Sequence, residues 1–231
     1  MQRGGSLEVA VRLEGSRSGG VGLDVEFEVP PGITVMFGPS GAGKSTILAI
    51  VAGLLVPTAG RVCLGGEVWL DTGRGTALAA HKRGISMVFQ SLALFPHLTG
   101  AGNVEYGIDR RMGREERGGC ARAMLERMKV GHLAGRRPGT YSGGEAQRVA
   151  LARAFARRPR VVLLDEAFSS LDTPLRNELL LEARAILEEY GIPAVVVTHD
   201  RQEARAIGDR AVLIEGGRVS ATGRVDDLLG G

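Results

Sequence analysis

Gly38-Pro39-Ser40-Gly41-Ala42-Gly43-Lys44-Ser45-Thr46 follows directly on the apolar run Ile33 to Phe37 and leads into a second apolar stretch from Ile47. A short, nearly unbroken apolar run is the mark of a strand buried on both faces inside a parallel sheet. Between such a strand and a helix, glycines let the backbone wrap a phosphate with successive amide hydrogens pointing inward, and the helix N-terminus adds partial positive charge. Lys44 then supplies a full charge to the β- and γ-phosphates, Ser45 is placed to ligate Mg²⁺, and Thr46 helps hold the loop. The helix is expected from about Gly43 to Leu55, stopping near Pro57. A loop of this kind serves kinases, GTPases and ATPases alike.

Before the loop, Leu7, Val9, Val11 and Leu13 alternate with polar residues, and so do Val21, Leu23, Val25, Phe27 and Val29 after the turn-rich stretch Gly15 to Gly20. This period of two predicts an antiparallel pair with one buried face, closed by Pro30-Pro31-Gly32. After the loop come strand candidates at Val62 to Leu70 and Ile85 to Phe89, bracketing a Gly-rich loop or turn-bearing insertion. The stretch from Ser91 changes character, with helical patterning in Glu115 to Val130 between Gly- and Pro-rich joints, and reads as a helical lobe. Beyond it the pattern predicts a helix (Glu145 to Ala156), a strand (Val161 to Asp165), a helix (Pro174 to Tyr190), a strand (Ala194 to Thr198) and a last strand region near Ala211 to Val219. Alternating strands and helices give an α/β fold, a parallel sheet with helices on both faces. One nucleotide-binding domain is expected, with residues 1–90 and 145–231 as its core and 91–144 as the inserted lobe.

A chain of 231 residues can bury a substantial core in a single domain. Its 29 lysines and arginines against 26 acidic residues leave a net charge of +3, and the arginines fall in scattered pairs (Arg110-Arg111, Arg136-Arg137, Arg157-Arg158). Scattered pairs read as solvated helix faces, so no nucleic-acid partner is expected. Cys63 and Cys120 lack any Cys-x-x-Cys spacing, which fits a reducing compartment and no zinc site. The longest apolar run, Ile47 to Val56, is far short of the roughly 20 residues that cross a bilayer, and no charged-then-apolar leader precedes it. The chain is therefore expected to be soluble and to serve any membrane process by docking onto a separate membrane protein.

Val161-Val162-Leu163-Leu164-Asp165-Glu166 narrows the chemistry, because an apolar strand ending in two carboxylates delivers acids to the mouth of the sheet where the phosphates lie. Asp165 is the candidate to hold Mg²⁺, directly or through water, and Glu166 the candidate to polarise an attacking water. Gln90 follows Ile85 to Phe89 at another strand end, where its amide could touch Mg²⁺ or the water; taken alone it reads more readily as a surface residue. His199 follows Ala194 to Thr198 in the same way. It reads as a γ-phosphate contact, or as part of the helix start that Asp200 and Glu203 suggest by capping-box spacing.

Tyr141-Ser142-Gly143-Gly144-Glu145 offers a second phosphate-type helix start. Ser142 and Glu145 have capping-box spacing, which by itself implies only a well-capped helix. Glycine at the first two helical positions, however, costs on the order of 1 kcal/mol each against alanine. Close approach of another group to bare amides accounts for it, and with one phosphate cradle already present a second suggests a site shared between copies.

Gly38 to Thr46, Gln90, Tyr141 to Glu145 with Gln147-Arg148, Val161 to Glu166, Ser169-Ser170-Leu171-Asp172 and His199 stand in the order and spacing of an ABC-transporter ATPase, a resemblance that covers nearly the whole chain. The resemblance implies ATP and Mg²⁺ as cofactors. It also implies a head-to-tail homodimer, or a pair with another ABC subunit, in which each ATP lies between Gly38 to Thr46 of one subunit and the Ser142 to Glu145 signature of the other. Asp172 then lies in the loop linking the two sites; taken alone, Asp172-Thr173-Pro174 is a helix N-terminus with proline at its first position. Two departures stand out. The signature has Tyr141 and Glu145 where the family usually has Leu and Gln, and no aromatic precedes Phe27 to stack on adenine, which leaves apolar contacts or an arginine such as Arg17 for that task.

Phe89 to Thr99, with Asn103, resembles the importer members, in which the lobe receives a coupling helix of an integral membrane permease and Leu94, Phe95 and Leu98 would suit a helix-in-groove contact. Those residues read equally as the lobe's own small core. The resemblance implies a cytoplasmic subunit, peripheral on the inner face of the membrane and served indirectly by a substrate-binding protein. Gly66 to Asp71 and the Gly-rich loop after it are similar to the molybdate branch, which usually carries a C-terminal anion-sensing domain, whereas the sequence ends at Gly231. Non-transport ABC ATPases of DNA repair, chromosome organisation or translation are the alternative; their usual coiled-coil insertions, zinc cysteines or paired cassettes are not seen here.

Overall fold

Alternating burial sets the first two strands, β1 (Leu7–Leu13) and β2 (Leu23–Val29), which pair antiparallel with Leu7 opposite Val29 and Leu13 opposite Leu23. The computed structural model describes residues 5–15, 21–169 and 171–230; most of the turn-rich stretch expected between these strands lies outside them, as do Arg17 and Ser170. Val21, expected within the second strand, lies before its start and is exposed.

Next in the chain come β3 (Gly32–Phe37), α1 (Lys44–Ala52), β4 (Ala59–Leu64), β5 (Glu67–Asp71), β6 (Thr76–Ala77) and β7 (Ile85–Val88). Two expectations are corrected here. The helix after the phosphate-type loop ends at Gly53 rather than Leu55, because Gly53 takes a left-handed conformation and donates its N–H to the carbonyls of Ala49 and Ile50. The run Val62 to Leu70 is two strands rather than one. Gly65 and Gly66, at φ 55° and 84°, turn it back on itself as a two-residue hairpin that only positive φ at both positions allows.

The lobe contributes α2 (Gly100–Gly107) and α3 (Arg114–Arg127), and α3 stops short of the expected Val130. The chain then runs through α4 (Gly143–Ala156), β8 (Val161–Asp165), α5 (Thr173–Tyr190), β9 (Pro193–Thr198), α6 (Arg201–Ile207), β10 (Arg210–Glu215), β11 (Arg218–Arg224) and α7 (Val225–Leu229). The single last strand region expected near Ala211 to Val219 is thus a hairpin, β10 and β11, turning at Gly216-Gly217.

The strands form one sheet in the order β6-β5-β4-β1-β2-β11-β10-β3-β9-β8-β7. From β10 to β7 every neighbouring pair is parallel, while β1, β2, β4, β5 and β6 are joined antiparallel. The expected parallel core and antiparallel subdomain are therefore one mixed sheet, joined where Arg218 of β11 pairs with Asp24 of β2.

Side chains of the parallel strands alternate between two cores. Val35, Val162, Leu164 and Val196 pack with α4, α5 and α6 and with the lobe residues Val104, Leu125 and Leu133. Met36, Leu163, Val195 and Val197 pack on the other face with Ile47, Leu48 and Ile50 of α1 and with the antiparallel strands. Helices on both faces leave the carboxyl ends of β3, β7, β8 and β9 as the open edge, where a doubly wound sheet places its ligand. The buried Arg83 holds α1 in this position, donating from Nη1 to the carbonyls of Ile50 and Val51 at 2.9 and 2.7 Å, at the negative end of the helix dipole.

Candidate functional site

The chain leaves β3 through a loop whose glycines are forced by space. A Cβ on Gly38 would lie 2.1 Å from the Ile214 carbonyl oxygen, and one on Gly43 would lie 2.4 Å from Leu23 Cδ2. Gly43 caps α1 at φ 97° with no side chain accepting from the first-turn amides. Those N–H groups and the positive end of the helix are thus free for an anionic ligand. Lys44 is buried, and its Nζ donates to the carbonyls of Gly38 and Pro39, both at 2.8 Å. Burial pulls its pKa down, while Glu166 and Asp165 pull the other way. An ammonium with only carbonyl partners is poised for a stronger, anionic one.

β8 brings the two carboxylates to the same place. Ser45 Oγ donates to Asp165 Oδ1 at 3.0 Å, and burial pushes the Asp165 carboxyl above its usual range. A hydroxyl and a carboxylate at this separation form the oxygen-donor pair that Mg²⁺ prefers, so these residues fit that ion. Glu166 has φ 48°, a conformation that costs a side-chain-bearing residue on the order of 1–3 kcal/mol and must be held by its surroundings. Its N–H donates to the Val197 carbonyl at 3.1 Å, and its own carbonyl accepts from Ser169 Oγ at 2.9 Å. His199 Nδ1, just past β9, lies 3.5 Å from Glu166 Oε1.

Ser40, Gly41, Gly43, Lys44, Ser45, Thr46 and Glu166 line one open cavity. Val21 lines it too, and pattern reading missed this residue because it continued the strand alternation. Phe27 is buried in the core. Gln90 is exposed past the end of β7, which runs beside β8 with Val88 opposite Leu164; it shares the open edge with the carboxylates without a hydrogen bond to them among the described residues.

The second helix start is a complete capping box. Ser142 N–H donates to Glu145 Oε2 at 2.7 Å, and Glu145 N–H donates to Ser142 Oγ at 3.3 Å. The Ser142 amide, followed by His132 at 2.9 Å, holds the Glu145 carboxyl down at about 2. The two glycines part company here. A Cβ on Gly144 would lie 2.3 Å from Leu175 Cδ2 of α5, so packing within the chain explains that glycine, while Gly143 faces open space. None of Ser142 to Glu145 lines the cavity around Lys44.

Asp200 caps α6, accepting from the N–H groups of Gln202 and Glu203 at 2.7 and 3.1 Å. The capping box expected there is only half formed, because Glu203 turns inward, is buried, and leaves Oε1 without a hydrogen-bond partner. Burial pushes its carboxyl up to about 7, against a hydrogen bond from Thr198 and the nearby Arg176 that favour ionisation; Asp200 and Glu166 add to the rise. Below its unfolded value of 4.5 the group is neutral in both states. As pH rises from there towards 7, the unfolded chain ionises while the folded chain resists, so stability falls by up to about 3 kcal/mol. Glu203→Gln is expected to flatten that fall, read as urea midpoints at pH 4.5 and 7.5; identical pH slopes in parent and variant would refute the assignment.

Residues 23–169 match the family model described as ABC transporter. Among curated relatives, the chain is 40% identical over 211 residues to the molybdenum import ATP-binding protein ModC 1 of Azotobacter vinelandii, covering 91% of this chain and 58% of that protein. It is 45% identical over 207 residues to the spermidine/putrescine import ATP-binding protein PotA of Frankia alni, covering 88% of this chain and 43% of that one. The chain thus spans about half the length of these relatives. Among solved structures, it is similar to the dimeric post-hydrolysis state of the ATP-binding cassette MJ0796 bound to ADP and Pi, with a TM-score of 0.80, 30% identity, and coverage of 95% of this chain and 98% of that one.

Proposed function

Because this chain belongs to the ABC transporter family, we propose that it is the ATP-binding and ATP-hydrolysing subunit of an importer, working as a head-to-tail dimer on a membrane permease. The observation that carries this reading is the division of one site into two halves on one chain. Lys44, Ser45 and Glu166 line one cavity, with Asp165 held beside it by the hydrogen bond from Ser45, while Ser142, with the open Gly143 beside it, caps a helix that does not line that cavity. Closure by a second copy brings the halves together. The solved cassette with 30% identity is a dimer with ADP and Pi, which supports the same arrangement.

In this mechanism Gly38 to Thr46 hold the phosphates through backbone amides, and Lys44 leaves its carbonyl partners for the β- and γ-phosphate oxygens. Ser45, Asp165 and Gln90 would hold Mg²⁺, which when bound neutralises charge on the phosphates. Glu166 orients the attacking water and accepts its proton, and His199 donates towards the γ-phosphate from its place beside Glu166. Val21, at the rim of this cavity, offers the base an apolar contact in place of an aromatic face. ATP favours the closed dimer, hydrolysis and phosphate loss favour the open one, and the permease follows that population shift.

No helix of the described residues is long and apolar enough to cross a membrane, and the proposal assigns the membrane step to a permease. The proposed docking face is the lobe: Tyr106 is exposed there, its ring 4.4 Å from that of Phe95 between centroids, and Phe89 is exposed just before the lobe begins. By similarity to ModC 1, named for molybdenum import, the proposed cargo is molybdate or a related oxyanion. The relationship to PotA makes a polyamine the competing cargo, and isolating the chain with its permease and assaying both cargos decides between them.

Ser142→Asp tests the shared site. Aspartate caps a helix as well as serine does, so the fold is retained, but it sets a negative charge where the partner's γ-phosphate would lie. ATP turnover is expected to fall at least about tenfold with ATP affinity unchanged. A kinase that uses only the Lys44 cavity would tolerate the change, and unchanged turnover would exclude the sandwich dimer.

A further inference from the structure

The loop after β7 turns through two consecutive residues in the left-handed region, Leu92 at φ 58° and Ala93 at φ 45°. Neither is glycine, asparagine or aspartate, the residues that visit this region readily, so surrounding contacts must hold both. Arg153 of α4 makes those contacts. Its Nη2 donates to the Leu92 carbonyl at 2.7 Å and its Nη1 to the Ala93 carbonyl at 2.6 Å. Its guanidinium carbon also lies 5.4 Å from the centroid of the Phe95 ring. The rigid planar fork matches two adjacent carbonyls in a way that a flexible ammonium cannot.

Among the described residues no carboxylate offsets the burial that pulls the Arg153 pKa down, and the charge is met by this turn and this ring. The backbone around Arg153 is equally confined, since a Cβ on Gly107 of α2 would come within 2.9 Å of the Arg153 carbonyl oxygen. One helix therefore carries Ser142 at its N-terminus and, near its other end, the clamp on a loop that holds Gln90 just before the turn and Phe95 just after it.

We propose that Arg153 is a positioning residue that fixes the Leu92–Ala93 turn to α4, so that Gln90 is set at the nucleotide, and Phe95 at the lobe surface, by the position of the helix that begins at Ser142. The inference rests on the role given above to Gln90.

A double-mutant cycle on ATP hydrolysis by the full chain, at concentrations that favour the dimer, tests it. Arg153→Met keeps the aliphatic bulk and removes the fork; it is expected to lower kcat at least about fivefold while leaving KM for ATP within about twofold, because the phosphate cradle is untouched. Arg153→Lys is expected to restore only part of the rate. In a Gln90→Ala background the same Arg153→Met change is expected to cost less than about twofold, since its effect is already spent. Additive losses in that cycle, or a loss that appears only in KM or only as a lower Tm, would overturn the assignment. If the methionine variant does not fold, Arg153→Lys carries the same cycle with the same criteria. A parent chain without ATP turnover overturns the functional reading and this inference together; parent turnover with an additive cycle overturns the Arg153 role alone.

Discussion

Glu166→Gln is expected to bind ATP, accumulate as a dimer and turn over at least about 100-fold more slowly than the parent, the loss that follows removal of a positioned general base. The backbone at Glu166 is held at φ 48° by hydrogen bonds from its N–H to Val197 and from Ser169 to its carbonyl, none of which uses the carboxylate. The isosteric amide therefore leaves the kink in place. What it removes is the acceptor for the water's proton and the charge facing His199 at 3.5 Å. Phosphate release gives the rate, and size-exclusion chromatography with and without ATP gives the dimer. Parental turnover in the variant would show that the base lies elsewhere.

Lys44→Met separates binding from folding. The ammonium is buried with two carbonyl partners and no carboxylate hydrogen bond, so the thioether chain fills its space at little cost to the empty protein. With nucleotide present the balance reverses, because a charge-assisted contact to phosphate in a partly desolvated site has no substitute. Affinity for ATP is expected to fall at least about 100-fold, which is about 2.7 kcal/mol. The measurement is the rise in Tm on adding ATP, which scales with the logarithm of ligand over dissociation constant. The parent should show such a rise and the variant none at the same concentration. An equal rise in both would remove Lys44 from the phosphate site.

The phosphate-type loop, the acidic strand end and the antiparallel pair were legible because each depends on residues close in the chain. Strict alternation from Leu7 to Leu13 predicts a half-buried strand wherever it packs, and an apolar run ending in Asp165-Glu166 delivers carboxylates to a sheet edge in any doubly wound arrangement. Turns hidden inside apolar runs were not legible. Val62 to Leu70 is apolar on both sides of Gly65-Gly66, and the apolar run outweighs the one signal of reversal, the Gly-Gly pair itself. The glycines of Tyr141 to Glu145 show the same limit in the candidate site. Their spacing alone leaves room for a second group at both, yet Leu175, distant in sequence, fills the space at Gly144 and leaves only Gly143 open.

By itself, then, the sequence determined the chemistry on offer: a phosphate cradle, an ammonium, two carboxylates and a capped second helix start, all local consequences of residue type and spacing. The tertiary structure alone decided which of these groups meet. Strand order places β8 and β9 side by side beyond β3, which sets Ser45 against Asp165 and Glu166 beside His199. It also buried Glu203 with its Oε1 unpaired, put Val21 at the cavity and brought Arg153 to the Leu92–Ala93 turn. The physical reason is common to all of these. Burial and hydrogen-bond partnership are relations between segments far apart in the chain, fixed only when the two faces of one sheet choose what packs upon them.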